Sequence, residues 1–367
     1  MNILIYHPTN LPAKDLESLM YVFIEKKHTV FLLTHEEKGK LHENSEKLGV
    51  HSFSVGAEVK KSFLKQVQFL VAFCKRNKID VAYSNLQQSS KISILVQYFT
   101  KTRFIIYRHH SDSVYLYGSR KEKLLDRLIN RFARKIIVIS EFSRRQIIEV
   151  EKADPEKVSL IPLGYNFDFL PKPNFANVAK IRGEFNSSLL ITIAGRLIPI
   201  KRNDIAVNTV SDLVGKGLDV KLLILGSGSE EGKLKKLIAS RNMLSNIFML
   251  GHKANIEDYI ASSDLLIHVS NSEASCHMPK EAGILSKPVI VCDNVGDFSD
   301  YIINGENGIL IDKKNTRTEL YDQLEKLYND KSYLLKLGTS LKSTVYNKFD
   351  INRVFYMHEQ LIQSMYE

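Results

Sequence analysis

The chain has 367 residues, enough for two domains at roughly 100–200 residues each. Hydrophobic residues make up 44% and charged residues 25%, a globular balance that excludes a disordered chain. The formal net charge of +10 is concentrated in one half: residues 1–170 carry 27 basic against 18 acidic side chains, and residues 171–367 carry 24 against 23.

No stretch approaches the ~20 apolar residues of a membrane helix. Residues 1–7 enter a strand pattern at once, which predicts no signal peptide. Cys74, Cys276 and Cys292 form no CxxC, so neither a disulfide framework nor a zinc site is expected, and a reducing cytosol fits. There is no low-complexity tract and no short-period repeat.

Short apolar, β-branched runs at 2–6, 29–33, 80–84, 103–107 and 135–140 predict strands. Each is almost continuously apolar, as in a parallel sheet covered on both faces. Helical periodicity lies between them, clearest at 119–135, where Leu124, Leu125, Leu128, Ile129 and Phe132 recur. At 163–188 the periodicity fades among Pro171, Pro173, Asn and Gly, which predicts a linker. A second strand series follows at 189–194, 220–225, 247–250, 264–269 and 288–292, and helices are expected at 316–329, 332–348 and 351–366.

This alternation predicts an α/β protein with parallel sheets. The expected division is a Rossmann-like doubly wound domain over 1–168, a second over 169–348, and a helix at 349–367 crossing back to the first. Ligands of such sheets bind beyond the strands' carboxyl ends, so a central cleft is expected to take a nucleotide-bearing ligand.

The candidate chemistry clusters at strand ends. Gly195, Arg196 and Lys201 follow the strand at 189–194; the glycine permits a close turn, and two cations there can neutralise a phosphate. No DxD occurs to hold a divalent metal on a diphosphate, so these cations would do the neutralising. Glu273 and Glu281 flank a helix start placed at Pro279, with Glu273 in the loop and Glu281 in the first turn. Backbone N–H groups at such a start attract anions, and the two carboxylates can grip sugar and ribose hydroxyls. Gly226-Ser-Gly228 follows the strand at 220–225 but lacks GxGxxG spacing. Neither GxxxxGK[ST] nor a dinucleotide fingerprint is present, which argues against a P-loop NTPase and an NAD oxidoreductase. Arg108-His109-His110-Ser-Asp112 ends the strand at 103–107; a histidine there can donate to a ligand or shuttle a proton.

Arg120, Lys123, Arg127, Arg131 and Arg134 recur at intervals of 3, 4, 4 and 3. With Lys60, Lys61 and Lys65 they account for much of the N-terminal excess. Such a helix can lie on anionic lipid or be a solvated face packed on a sheet. Nucleic acid is not expected, because no aromatic-interleaved basic motif accompanies the charge.

In order and spacing, these features resemble the retaining nucleotide-sugar glycosyltransferases of family 4, the group 1 type, which have the GT-B fold. The resemblance is best from residue 189 to 312. Gly195-Arg196…Pro199…Lys201 is similar to the family's GR…P.K motif, and Glu273 with Glu281 to its E-x7-E pair. The segment from Ile247 to Gly251, then Tyr259 and Ser263-Asp264, resembles "G…yy..ad". Lys287-Pro-Val-Ile-Val and Asn304-Gly-Glu-Asn-Gly-Ile-Leu resemble the closing stretch.

The resemblance implies that Arg196 and Lys201 bind the donor diphosphate, Glu281 the ribose and Glu273 the transferred sugar. The backbone at His277 and Met278 would approach the phosphates, with Lys253 near the base. His109 aligns with the family's histidine beside the donor sugar, with His110 as the fallback. The family retains anomeric configuration without a metal, so no cofactor is expected. Three stretches depart from its pattern: Pro8–Lys14 in place of a glycine-rich loop, Ala274-Ser-Cys in place of Gly-Phe-Gly, and Asp297 in place of a second glycine. These predict altered sugar choice or a degenerate site.

The expected activity is therefore transfer of a sugar from a nucleotide diphosphate donor, UDP-sugar first, to a lipid-linked or saccharide acceptor in surface polysaccharide synthesis. The expected setting is cytoplasmic, at the inner face of the membrane. A sugar-nucleotide epimerase on the same fold, or a non-catalytic GT-B partner subunit, are the alternatives.

Overall fold

The computed structural model describes residues 1–108 and 118–367. The chain divides into two compact units, Met1–Phe169 with Phe349–Glu367, and Leu170–Lys348.

The first unit is built on β1 (Asn2–His7), β2 (Thr29–Thr34), β3 (His51–Ser54), β4 (Val81–Asn85), β5 (Arg103–Arg108), β6 (Lys135–Val138) and β7 (Val158–Leu160). They form one sheet in the order β3-β2-β1-β4-β5-β6-β7, with every pair parallel. The second unit holds β8 (Leu189–Ala194), β9 (Val220–Leu225), β10 (Ile247–Gly251), β11 (Leu265–His268), β12 (Val289–Cys292) and β13 (Ile309–Ile311). Their order is β10-β9-β8-β11-β12-β13, again all parallel. Strand order reverses direction beside β1 and beside β8, as in doubly wound sheets.

Central strands read as apolar runs because both faces are covered: all six residues of β8 are buried, and so are all four of β12. Three strands have no counterpart in the sequence expectation, namely β3, β7 and β13. Each is a sheet edge of three or four residues, and β3 and β7 are broken by serines, so a long apolar run is missing.

The stretch at 163–188 is also more structured than its composition suggests. It contains a helix, Phe175–Glu184, capped by Asn174, whose Oδ1 accepts from the N–H groups of Ala176 and Asn177. Ile181 is its one buried residue and packs with Phe185, Leu190 and Leu223. A helix that buries so little leaves almost no 3.6-residue pattern.

The C-terminal helix Ile351–Gln363 packs on the first unit. His358 Nδ1 lies 3.2 Å from the Tyr83 hydroxyl, and Phe355 meets Phe23 edge-on at 5.5 Å. Arg103 donates to the Met365 carbonyl at 2.8 Å. Among the described residues no helix is long and apolar enough to cross a membrane.

Candidate functional site

The site lies at the carboxyl ends of β8 to β11. β8 delivers Gly195 and Arg196, and β9 delivers Gly226. A Cβ on Gly226 would stand 1.9 Å from the Gly195 carbonyl oxygen, and its φ is +132°, so only glycine lets these loops stack. The Gly195 N–H donates to Leu225 O at 2.9 Å and the Gly226 N–H to Gly251 O at 2.8 Å, which fixes the floor.

A short 3-10 turn, Pro199–Lys201, then presents Lys201. Its neighbour Arg202 points elsewhere: the guanidinium donates to Val269 O at 2.9 Å, Lys313 O at 3.1 Å and Cys292 Sγ at 3.1 Å. One of two adjacent cations is thus offered to the site, and the other ties the end of β12 to the chain just beyond β11 and β13.

A cavity of about 410 Å³ collects most of the expected residues. Gly195, Arg196, Lys201, Gly226, Lys253, Glu273, His277 and Met278 all line it. Ser227, His252, Ser275 and Cys276 line it as well, without having been singled out as ligands from the sequence.

Glu281 is not among the lining residues. The helix after β11 starts at His277 with Cys276 as its cap, so Pro279 is the third helical position and Glu281 the fifth, past the first turn. The proline misleads because every N–H of a first turn lacks an intrahelical acceptor, so Pro fits anywhere in it. His109 and His110, with Asp112, lie outside the described residues.

Glu273 is the electrostatic centre. Its Oε1 accepts from Lys201 Nζ and lies 2.7 Å from His268 Nε2. Burial would raise the carboxyl pKa, but His268 and Lys201 overrule it and hold it at about 2. Burial likewise works against a charged His268, yet the Cys276 sulfur and the Glu273 carboxylate raise it to about 9. At neutral pH the group is therefore a carboxylate between two cations. The donor atoms of His268, Glu273 and Cys276 lie within 4.8 Å of one another, spacing that would suit a small cation. The ammonium and the imidazolium already balance this carboxylate, and a divalent ion would have to displace both.

The departures after Glu273 form one connected unit. Ser275 Oγ donates to Asp297 Oδ2 at 2.6 Å. Lys280 Nζ donates to Ser275 Oγ at 2.8 Å and to Cys276 O at 3.0 Å, and lies 2.6 Å from Asp297 Oδ2. Beside Asp297, a Cβ on Gly296 would stand 2.8 Å from the Glu273 Cβ, so the backbone there is pressed against the acid's own stem. Ser275, at the phenylalanine position of the family's Gly-Phe-Gly, and Asp297, at its second glycine, thus hold this loop together through Lys280. His268 carries no sequence signal, being a lone polar residue in an apolar run, and Lys280 stands between Pro279 and Glu281 with nothing in that order to mark its partner Asp297.

In the first unit, Arg108 is buried and structural. It bridges Asp126 at 2.9 Å and Glu151 at 2.6 Å, with Asn130 also on Glu151. This anchors the helix Arg120–Phe132, which Ser119 caps in a box with Glu122. Asp126, Ile129 and Asn130 face the core. Three of the five apolar residues in the helix's repeat do not pack inward: Leu124, Leu128 and Phe132 are exposed at 59, 41 and 45%. The polar anchor, not leucine burial, decides which side faces inward.

The profile described as glycosyl transferases group 1 matches residues 175–344, and that of glycosyltransferase family 4 matches residues 17–169. The chain is 25% identical over 250 residues to the capsular polysaccharide biosynthesis glycosyltransferase CapM of Staphylococcus aureus, covering 66% of this chain and 64% of CapM. It is 24% identical over 219 residues to the poly(ribitol-phosphate) alpha-N-acetylglucosaminyltransferase of Staphylococcus aureus (strain COL), covering 60% and 42%. The chain thus spans about two fifths to two thirds of these relatives' length. In fold it is similar to HepE of Anabaena, crystallised with UDP, at a TM-score of 0.85 and 18% identity, covering 99% of this chain and 100% of HepE. A further HepE crystal holds UDP-glucose, with a TM-score of 0.83, 18% identity and coverage of 98% and 99%. With two doubly wound parallel sheets, C-terminal helices and these matches across both halves, the chain has the GT-B fold and belongs to the group 1 glycosyltransferases of family 4.

Proposed function

We propose that the protein is a retaining glycosyltransferase that moves a sugar from a UDP-sugar to a lipid-linked or saccharide acceptor in surface polysaccharide synthesis. The observation that carries this reading is one cavity holding Arg196, Lys201, an ionised Glu273 and the N-terminal end of the helix His277–Ile284. Positive groups gathered at a leaving diphosphate stabilise the charge that develops as the glycosidic bond to phosphate breaks. The helix start adds its dipole at the same place. Glu273 accepts from hydroxyls of the sugar, Lys253 lies toward the base, and Glu281 serves the ribose. His109, with His110 as fallback, is the proposed histidine beside the sugar.

UDP in HepE supports the choice of base, and CapM and the ribitol-phosphate enzyme support a cell-surface polymer as the setting. No metal enters the scheme. The helix Arg120–Phe132 is proposed to rest on an anionic membrane at its cytoplasmic face, because exposed Leu124, Leu128 and Phe132 accompany Arg120, Lys123, Arg127, Arg131 and the following Arg134.

The test is nucleotide release by purified protein from a UDP-sugar panel with and without acceptor. Acceptor-dependent release that drops at least tenfold in Arg196→Ala and Glu281→Ala is expected. Unchanged release in both variants removes the assignment, and acceptor-independent conversion of the donor replaces it with an epimerase.

A further inference from the structure

We propose that His268 is a positioning residue of the donor site: it holds the Glu273 carboxylate in place when Lys201 turns from that carboxylate to the donor's diphosphate. The inference rests on the glycosyl-transfer reading above and adds a residue to it.

Two cations share one oxygen. Both the Lys201 ammonium and the His268 ring contact Glu273 Oε1, and among the described residues no hydrogen bond ends on Oε2. Oε2 is therefore the oxygen offered to a sugar hydroxyl.

The two cations differ in their freedom to move. Lys201 sits at the end of a short turn, lines the cavity with Arg196, and has a long flexible stem. A diphosphate carries more charge than one carboxylate, so donor binding draws the ammonium away. An ammonium that moves toward the diphosphate weakens its contact with Glu273 Oε1.

His268 cannot follow. It ends β11, which pairs with β8 on one side and β12 on the other. Its side chain is 5% exposed, with Phe298 edge-on at 5.7 Å and Cys276 Sγ 3.5 Å from Nε2. The titratable groups facing it are Glu273 and Cys276 of the loop, with Lys201 across the carboxylate.

This arrangement sets the role. A largely buried carboxylate that loses its cation takes a proton or swings toward water. Either outcome spoils an acceptor aimed at a hydroxyl. The fixed imidazolium prevents both after the lysine has left. Its charge persists across neutral pH because it titrates near 9.

The experiment compares wild type with His268→Gln and His268→Leu. The probes are UDP alone and whichever of UDP-glucose, UDP-galactose and UDP-N-acetylglucosamine the wild type turns over. UDP has no sugar to meet Glu273, so its affinity should stay within twofold in both variants. kcat should fall at least tenfold in His268→Leu and less in His268→Gln, which keeps a donor. The wild-type rate should decline above pH 9, and this limb should vanish in His268→Gln, whose side chain does not titrate. A folding role alone would move UDP affinity and turnover together and leave the pH profile's shape intact.

If the variants match wild-type kcat and keep the alkaline limb, His268 has no such role, whereas the donor-site reading stands. A wild type that binds no UDP and turns over none of the three donors overturns the donor-site reading, and this inference with it.

Discussion

Lys280 Nζ lies 2.6 Å from Asp297 Oδ2, and both side chains are sealed from solvent. The pair, with Ser275, joins the helix after β11 to the loop after β12. Removing one partner strands a buried charge, which typically costs about 3–5 kcal/mol. Lys280→Met is expected to lower stability by that order in urea denaturation. Lys280→Met combined with Asp297→Ala, which leaves neither charge, should recover a substantial part of the loss. Equal stability of the single variant and wild type would mean that the pair contributes nothing.

The Glu273–His268 contact makes stability depend on pH in a defined window. His268 has a pKa raised from 6.5 to about 9, so its contribution is complete below 6.5 and lost as pH rises through 9. Glu273 has a pKa lowered from 4.5 to about 2, so its share is complete above 4.5 and lost as pH falls through 2. Both are whole between 4.5 and 6.5. The Tm difference between wild type and His268→Gln should therefore be largest there and shrink toward pH 9.5. The free energy involved is on the order of 3 kcal/mol. Scanning calorimetry across pH 5 to 9.5 checks this, and a constant difference would contradict it.

Gly226→Ala should be among the most damaging small substitutions. The added carbon meets the Gly195 carbonyl at 1.9 Å in a backbone conformation that alanine rarely adopts. Strain and displacement together are expected to cost on the order of 3 kcal/mol. Thermal unfolding and UDP titration should both register it. An alanine variant with wild-type Tm and UDP affinity would show that the two loops yield easily.

The membrane reading makes separate demands on charge and on apolar surface. Binding to phosphatidylglycerol vesicles should weaken with salt. It should drop at least tenfold in Arg127→Glu/Arg131→Glu, and again in Leu124→Gln/Leu128→Gln, where exposed apolar area is lost. Vesicle binding that ignores all four changes would make the helix an ordinary solvated face.

The architecture was legible in the amino-acid order, because strands covered on both faces are mostly apolar. β8, β9 and β12 announced themselves in this way, whereas the edge strands β3, β7 and β13 have too short a pattern to do so. The glycines and cations at strand ends were also legible, since a close turn and a fixed charge each require particular residue types. Tertiary structure alone decided which of these side chains meet. Nothing in the order Lys201-Arg202 tells which cation enters the cavity; the left-handed backbone of Arg202 and its three acceptors send it to Val269, Lys313 and Cys292. Nothing in an apolar run marks His268 as the partner of Glu273, because that contact exists only once β11 and the following loop have folded back on each other. The same holds for the helix Arg120–Phe132, where burial of Asp126 and Asn130 around Arg108 turns three apolar side chains outward against the pattern of its own sequence.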